Sequence, residues 1–239
     1  MKRALMTGGS GSIGAAICRK LAAQGCEVLV HANSQLDRAE AVAAEIRAAG
    51  GSARAIAFDV TAAEVTKAAL ERELEAGAIQ VLVNNAGIHA DAVFAGMSQE
   101  KWARVIDVSL NGFYNVTQPL TLPMLRTRWG RIVNIGSVAG IVGNRGQVNY
   151  AAAKGALHAA TKALALEVAS RGVTVNAVAP GIIDTGMIEG VFDAETIKRL
   201  VPMQRAGRPE EVAELVGFLA SEAAGYLSGQ VISINGAMI

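Results

Sequence analysis

A tyrosine and a lysine stand four residues apart in the segment "NYAAAKGALHAATKALALEVA". Its small and apolar residues predict a helix, and four residues make about one turn, so Tyr150 and Lys154 are expected on the same face. Tyrosine is a weak acid, with an unperturbed pKa of about 10, but a nearby cation favours its phenolate. The pair could therefore move a proton during catalysis, although helix packing and surface exposure are the commoner explanations of this spacing.

A serine, Ser137, ends the apolar run "RIVNIGS" and precedes Tyr150 by thirteen residues. If this run is a strand, the Ser137 hydroxyl lies at its carboxyl end and could hydrogen-bond a substrate carbonyl oxygen while Tyr150 protonates it. The three histidines, His31, His89 and His158, show no triad or metal-ligand spacing, so no metal site is expected. The sequence also lacks a G-x-S-x-G nucleophile motif.

Near the start of the chain, "TGGSGSIG" packs four glycines into eight residues, between an apolar run and a helical pattern. It fits G-x-G-x-x-G when read from Gly9, and T-G-x-x-x-[small]-x-G when read from Thr7. Unpaired N–H groups at a helix N-terminus attract a pyrophosphate, and glycines let it approach the backbone. The residues expected to line this phosphate site are Gly8, Ser10, Ser12, Ile13 and Gly14.

The end of the second predicted strand, "VLVHANSQ", bears on which dinucleotide binds. A cofactor with a free 2′-hydroxyl usually meets a carboxylate about 20 residues past the glycines, and Ala32 and Asn33 offer none. Asp37 has a structural explanation, because Ser34 and Asp37 have the spacing of a capping box. Asn33 and Ser34 therefore leave room for a 2′-phosphate. NADP is favoured over NAD, although no arginine is evident to bind that phosphate.

Short runs rich in Val and Ile predict the strands that must position these residues. They are Ala4–Met6, Glu27–His31, Ala53–Phe58, Ile79–Asn84, Arg131–Ile135, Thr174–Val178 and Val231–Ile234. Segments with apolar residues three and four apart, such as Ile13, Ile17 and Leu21, lie between them and predict helices. Alternating strands and helices predict an α/β, doubly wound, Rossmann-type fold with about seven parallel strands and helices on both faces. Ligands bind there beyond the carboxyl ends of the strands.

Length and composition narrow the class of protein. The 239 residues, 51% of them hydrophobic, fit a single domain over 1–239, and the irregular residues 184–209 predict a substrate lid. A net charge of +1 with interspersed signs favours neither a nucleic acid nor a membrane surface as partner. The chain has no apolar run of about 18 residues and no signal-peptide pattern, so a cytoplasmic location is expected.

The order and spacing of these motifs resemble the short-chain dehydrogenase/reductases over essentially the whole chain. The shared segments are the glycine turn, "NNAG", Ser137, "YAAAK" and "NAVAPGIIDTGM". Within that family, "GNRGQVNYAAAKGAL", "EVASRGVTVNAVAPG" and "LSGQVISINGAMI" look most like the beta-ketoacyl-acyl carrier protein reductases. The resemblance implies NADPH-dependent reduction of beta-ketoacyl thioesters, in fatty acid, polyketide or aryl polyene synthesis.

The resemblance also implies roles for individual residues. Tyr150 would be the general acid, Ser137 would orient the carbonyl, and Lys154 would bind the ribose and lower the tyrosine pKa. Asp59 and Val60 would flank the adenine, Asn85 would lie along the cofactor, and Ile183 and Thr185 would lie near the nicotinamide. Arg128 and Arg171 would dock the acidic carrier protein. A homotetramer would form through helices at about 99–127 and 149–171.

Two segments depart from the family pattern. In "VIDVSLNG", Ser109 stands where the family often has an asparagine that holds a water in the proton relay. Asn111, two residues on, points to a different helix face, whereas a serine can still hydrogen-bond a water. The glycine turn resembles the family pattern in the register that starts at Thr7, with Gly8 and Gly14 at its glycines. Gly11 and Ser12 there replace the Arg-Gly of many carrier-protein reductases.

Two other functions fit the same residues. A dehydrogenase of a free secondary alcohol, or reductase of a free ketone, would use the same chemistry. A noncatalytic, cofactor-sensing or partner subunit would use the same fold, because fold does not determine function. Ser109 favours this last reading, whereas the intact Ser137, Tyr150 and Lys154 oppose it.

Overall fold

The structure, a computed structural model, describes residues 1–185 and 193–239. These residues form a seven-stranded sheet in the order β3-β2-β1-β4-β5-β6-β7, and each neighbouring pair is parallel. The strands are β1 (Arg3–Met6), β2 (Glu27–Ala32), β3 (Ser52–Ala57), β4 (Val81–Asn84), β5 (Gly130–Ile135), β6 (Val173–Pro180) and β7 (Val231–Ile234). The predicted doubly wound sheet is confirmed, and each of the seven predicted runs overlaps one strand, with Phe58, Ile79 and Gln80 lying just outside the strands.

Helices connect the strands in the described residues. They are α1 (Ser12–Ala23), α2 (Leu36–Ala48), α3 (Ala63–Glu75), α4 (Gln99–Ile106), α5 (Gly112–Thr127), α6 (Ala139–Val142), α7 (Val148–Val168), α8 (Ala194–Leu200) and α9 (Pro209–Leu219). A π-helical turn, Asp107–Asn111, joins α4 to α5 without a break in the chain's helical path. Such turns widen a helix locally and often occur at functional sites.

Two apolar cores lie on opposite faces of the sheet, as the alternation of side chains along a strand requires. In β1, Ala4 and Met6 join the core beneath α1, α2 and α9, whereas Leu5 joins the core beneath α3, α5 and α7. Residues such as Ile17 of α1 and Leu120 of α5 are fully buried against the sheet. Burying such a side chain stabilises the fold by about 1.5–3 kcal/mol. These two layers hold the strand ends rigidly in place.

The predicted lid and the predicted domain limits can be compared with these elements. Part of the predicted lid at 184–209, residues 186–192, lies outside the described residues, and α8 occupies a portion of the rest. Within the described ranges, no helix is long and apolar enough to cross a membrane. The limits of a single domain over 1–239 stay a prediction.

Candidate active site

The carboxyl ends of β1 and β4 form the switch point of the sheet, where the strand order changes direction. The "NNAG" segment after β4 is bound there to the glycine turn after β1. The Asn85 backbone N–H donates to Thr7 Oγ1 at 2.9 Å, and Asn85 Nδ2 donates to the carbonyls of Thr7 and Gly8, both at 3.1 Å. Asn85 therefore supports the turn with its side-chain amide.

The glycine turn itself fits an anionic phosphate group. Gly8 has a left-handed φ of 65°, and a Cβ on Gly14 would overlap the Gly8 carbonyl oxygen. In the described structure no side chain caps α1 at its N-cap residue Gly11, so the N–H groups of Ser12 and Ile13 stay available to a ligand. Thr7 and Gly14 are the ends of the register that starts at Thr7. The Thr7 hydroxyl accepts hydrogen bonds from the "NNAG" backbone, so the structure favours this register.

A buried histidine beneath the turn was missed by the sequence analysis. Gly8 N donates to His31 Nδ1 at 3.2 Å, and the opposite ring nitrogen lies 2.8 Å from the Phe58 carbonyl. His31 is therefore neutral, with Nδ1 accepting and Nε2 donating. Burial lowers its pKa to about 4, against weaker raising effects of the Phe58 carbonyl and Asp59. The only hint in the sequence was its place on the strand after the glycines.

The structure brings together two predicted cofactor residues that are far apart in sequence. The Ser12 hydroxyl donates a 2.9 Å hydrogen bond to the Thr185 carbonyl. Ile183, two residues earlier, is buried and pairs as an isolated bridge with Gly207. The start of the segment after β6 is thus joined to the first turn of α1.

At the end of β2, Asn33 and Ser34 are exposed, as expected for residues that meet a ligand. The predicted capping box is wrong: α2 begins at Leu36 with Gln35 at its N-cap and no side-chain cap within the described chain. Asn33 and Ser34 belong to the turn after β2, so α2 begins beyond Ser34. Asp37 therefore has no capping role.

An arginine missing from the sequence analysis lies beside this turn. Arg38 Nη2 lies 3.5 Å from the Ser10 carbonyl, and its Nη1 donates to Gln35 Oε1 at 2.9 Å. The exposed guanidinium is thus held between the glycine turn and the end of β2. Its signal in the sequence was an arginine in the first turn of the helix after β2.

The residues predicted to flank the adenine follow β3. The exposed Asp59 carboxylate accepts hydrogen bonds from the Thr61 N–H at 2.9 Å and the Thr61 hydroxyl at 2.8 Å. Val60 is buried, and its carbonyl accepts a 2.8 Å hydrogen bond from Asn115 of α5. Only Asp59 of the two presents its side chain to solvent.

The three residues proposed for proton transfer meet beyond the end of β5. Ser137 lies two residues after that strand, and its hydroxyl lies close enough to Tyr150, near the start of α7, to lower the pKa of that tyrosine. One turn further along α7, Lys154 Nζ lies 5.6 Å from the centre of the Tyr150 ring. The same ammonium donates a 2.8 Å hydrogen bond to the Ile135 carbonyl. The three side chains are therefore close enough to act on one substrate.

The electrostatics of this group correct one expectation. Burial raises the pKa of Tyr150 to about 12; the Ser137 hydrogen bond opposes this rise, and Asp91 adds to it. Burial also lowers the pKa of Lys154 to about 8. The predicted lowering of the tyrosine pKa by Lys154 is therefore not seen in the protein alone, because burial of Tyr150 dominates and Lys154 is not among the groups that shift its pKa.

Ser109 lies in the π-helical turn and faces this group. Its side chain is buried, and its hydroxyl has no hydrogen-bond partner among the described residues. A methyl group on Gly87 would lie 3.6 Å from Ser109 Oγ and 3.4 Å from Lys154 Nζ, so both polar groups face the same glycine. Beside Ser109 is a cavity of about 10 Å³, also lined by Thr7 and Asn84. That is roughly the smallest volume that holds one water.

Asn111 takes no part in this arrangement. Its amide donates to Asp107 Oδ1 at 2.7 Å on the exposed face of the helix. The expectation that Asn111 points away from Ser109 is confirmed.

His158, one turn beyond Lys154 on α7, is buried. Its ring lies directly beneath Gly136, where a Cβ would overlap His158 Nε2. Burial lowers the pKa of His158, and Lys154 and Lys162 lower it further. The neutral ring supports the backbone that carries Ser137.

Arg128 and Arg171 lie together, but far from the other site residues. Arg128 ends α5 with a left-handed φ of 52°, and any side chain on Gly172, next to Arg171, would overlap the Arg128 carbonyl. Both arginines precede the paired starts of β5 and β6. They therefore lie at the amino edge of the sheet, opposite Ser137 and Tyr150.

Comparison with known proteins agrees with this geometry. The short chain dehydrogenase family matches residues 2–196. The chain is 46% identical to the 3-oxoacyl-acyl-carrier-protein reductase FabG of Aggregatibacter actinomycetemcomitans, over 98% of each chain. It is 46% identical to the 3-oxoacyl-acyl-carrier-protein reductase of a Synechocystis species, over 99% of this chain and 96% of that one. It is 43% identical to Nodulation protein G of Azospirillum brasilense, over 99% of this chain and 98% of that one.

The chain belongs to the short-chain dehydrogenase family. It is therefore an oxidoreductase that acts on an alcohol or a ketone with a nicotinamide cofactor.

Proposed function

We propose that this enzyme reduces beta-ketoacyl thioesters, carried on acyl carrier protein, to beta-hydroxyacyl thioesters, with NADPH as reductant. The observation that carries the proposal is the meeting of Ser137, Tyr150 and Lys154 at the carboxyl edge of the sheet, next to the glycine turn. The names of two relatives that match almost the full chain support this substrate class.

In the proposed reaction, Ser137 donates a hydrogen bond to the ketone oxygen and Tyr150 Oη gives it a proton. When bound, NADPH supplies the hydride that reduces the carbonyl carbon. Lys154 binds the ribose hydroxyls, and its ammonium favours the phenolate that Tyr150 becomes. Ser109, whose hydroxyl has no partner among the described residues, holds the water through which the phenolate regains a proton. Positioned proton transfer of this kind contributes about 10² to 10⁴ in rate.

The dinucleotide is proposed to lie across the switch point. Its pyrophosphate binds the glycine turn, and the other predicted contacts follow the edge of the sheet: Gly8, Ser10, Ser12, Ile13, Gly14, Asn33, Ser34, Asp59, Val60, Asn85, Ile183 and Thr185. The exposed Arg38 beside Ser10 and the absence of a carboxylate at Ala32 and Asn33 favour NADP over NAD. Arg38 supplies the cation that the turn itself lacks at Gly11.

The carrier protein is proposed to dock on basic residues, for which Arg128 and Arg171 stay the predicted pair. These arginines lie at the amino edge of the sheet, whereas the site lies at the carboxyl edge. The acyl chain on a docked carrier must therefore reach past the sheet, or must enter the site of another copy of this chain. We also propose a homotetramer in the cytoplasm. Exposed apolar residues on α5 and α7, such as Leu122 and Leu166, support assembly through these helices.

The test is NADPH oxidation with a beta-ketoacyl thioester on acyl carrier protein, run beside NADH and beside a small free ketone. We expect turnover with the carrier-bound substrate and NADPH, and a loss of about 10² or more in kcat for Tyr150→Phe. Faster turnover of the free ketone would favour the alternative of a free alcohol dehydrogenase. Cofactor binding without turnover of either would favour the noncatalytic subunit.

A further inference from the structure

A histidine outside the Ser137, Tyr150 and Lys154 group lies directly against the proposed acid. The imidazole of His89 stacks on the phenol ring of Tyr150, with 4.2 Å between ring centres and 29° between ring planes. His89 comes from the segment after β4, whereas Tyr150 comes from α7. His89 has no predicted role, because its neighbours along the chain are not the residues that it contacts in the fold.

The segment that carries His89 is tied to the start of α7 at several points. Ala92 N donates to the Gly146 carbonyl at 2.9 Å, and Asn149 Nδ2 donates to the Ala90 carbonyl at 3.0 Å. Asn149 Oδ1 also accepts a 2.8 Å hydrogen bond from the Tyr150 N–H. One asparagine therefore holds both the backbone next to His89 and the backbone of the acid. These hydrogen bonds therefore fix the backbone positions of both residues whose rings are in contact.

Polar groups around His89 set the orientation of its ring. Gln147 Nε2 lies 3.5 Å from His89 Nδ1 and donates to Asp91 Oδ2 at 2.9 Å. The charged groups that face the imidazole are Asp91, on its own segment, and Lys154, on α7. Burial lowers the pKa of His89 and Lys154 lowers it further, whereas Asp91 raises it. The balance leaves a neutral ring against Tyr150 near pH 7.

We propose that His89 is a positioning residue for Tyr150. Its neutral ring, oriented by Gln147, packs on one face of the phenol and keeps the hydroxyl directed at Ser137. Protonation of His89 strengthens its attraction to Asp91 and its repulsion by Lys154, which draws the ring away from Tyr150 and adds an acid limb to the rate profile. The proposal rests on the proposed function in taking Tyr150 as the acid.

The kinetic test compares His89→Ala, which removes the ring, with His89→Phe, which keeps a flat ring and removes the titrating nitrogens. We expect His89→Ala to lower kcat about tenfold while KM for the thioester and for NADPH stays within about twofold, because misplacing a reacting group costs rate. His89→Phe is expected to restore kcat to within about threefold and to remove the acid limb. Val93→Ala, on the same exposed segment, is the matched control and should leave all values unchanged.

A second measurement needs no substrate and separates this inference from the proposed function. The imidazole proton resonances of His89, assigned through His89→Phe, should shift when Tyr150→Leu removes the ring current of the phenol. Unmoved resonances would overturn the stacking whatever the enzyme reduces. A His89→Phe variant as slow as His89→Ala, or a His89→Ala variant as fast as the parent, would overturn the positioning role. Absence of reductase turnover in the parent would instead overturn the proposed function.

Discussion

Ser12, in the first turn of α1, donates a hydrogen bond of 2.9 Å to the carbonyl of Thr185, at the start of the segment after β6. This bond connects the predicted phosphate site, at Ser12, to the backbone of the predicted nicotinamide site, at Thr185. Ser12→Ala is expected to weaken NADPH binding about fivefold, because one hydrogen bond that orders both ends is lost. The dissociation constant follows from the fluorescence of bound NADPH. Ser170→Ala, exposed near the amino edge of the sheet, is the control, and an equal loss there would contradict the interpretation.

Arg38 should distinguish the two dinucleotides. Arg38→Ala is expected to weaken binding of NADPH by about tenfold or more and to leave NADH nearly unchanged, because a charge-assisted bond to a 2′-phosphate exists only in NADPH. Calorimetry with 2′,5′-ADP and with 5′-AMP measures the same difference without any reaction. Arg47→Ala, at the far end of α2, is the matched control. Equal weakening of both nucleotides would show that Arg38 acts through the fold.

The substitution Ser109→Ala should lower the activity of the enzyme without lowering its stability. Its buried hydroxyl has no partner among the described residues, so Ser109→Ala breaks no hydrogen bond within the described chain and should leave the melting temperature nearly unchanged. The rate should nevertheless fall about tenfold, because the water of the relay loses a ligand. Calorimetry and steady-state kinetics on the same samples give both values. A simultaneous fall in melting temperature would indicate a structural role instead.

His31 predicts how stability depends on pH. In the folded protein its pKa is about 4, below the ordinary value of 6.5, so between these values the unfolded chain binds a proton that the folded chain does not. The free energy of unfolding should therefore fall as pH drops from about 6.5 to about 4, by up to about 3 kcal/mol. Urea unfolding at several pH values measures this slope.

The control for this prediction is His31→Gln, whose amide can accept from Gly8 and donate to Phe58 without titrating. The acid loss of stability should be smaller in this variant. An unchanged slope would assign the effect to other groups, such as His158.

The docking pair is tested by charge reversal. Arg128→Glu and Arg171→Glu are each expected to raise KM for a carrier-bound thioester severalfold and to leave a small thioester analogue nearly unaffected, because only the carrier is acidic. Steady-state kinetics with both substrates measures the split. Arg47→Glu serves as the surface control. Equal effects on the two substrates would remove these arginines from the docking surface.

Much of the fold could be predicted because local and global signals agree along this chain. Most strands of the sheet are short runs rich in Val, Ile, Leu and Ala, since a parallel sheet covered on both faces is apolar on both sides. Ser137, Tyr150 and Lys154 could be placed together because strand ends and one helical turn have known geometry. The family resemblance already favoured the Thr7 register of the glycine turn, and the hydrogen bonds between Thr7 and "NNAG" agree with it.

Contacts between distant segments could not be predicted. Arg38 approaches Ser10, and His89 approaches Tyr150, only because the sheet brings separate loops to one edge. The raised pKa of Tyr150 likewise depends on how completely it is buried, which a lysine one turn away does not reveal. The capping box was wrong because the turn out of β2 is longer than the pattern suggested.

The His158 imidazole occupies the position that a side chain on Gly136, next to Ser137, would take. Neither position is therefore free to change size by itself. Among relatives with this backbone, a larger residue in place of Gly136 should occur only where the residue matching His158 is small. An exchange of His158 for an apolar residue of similar volume should instead be tolerated, because what this contact requires is volume and not charge.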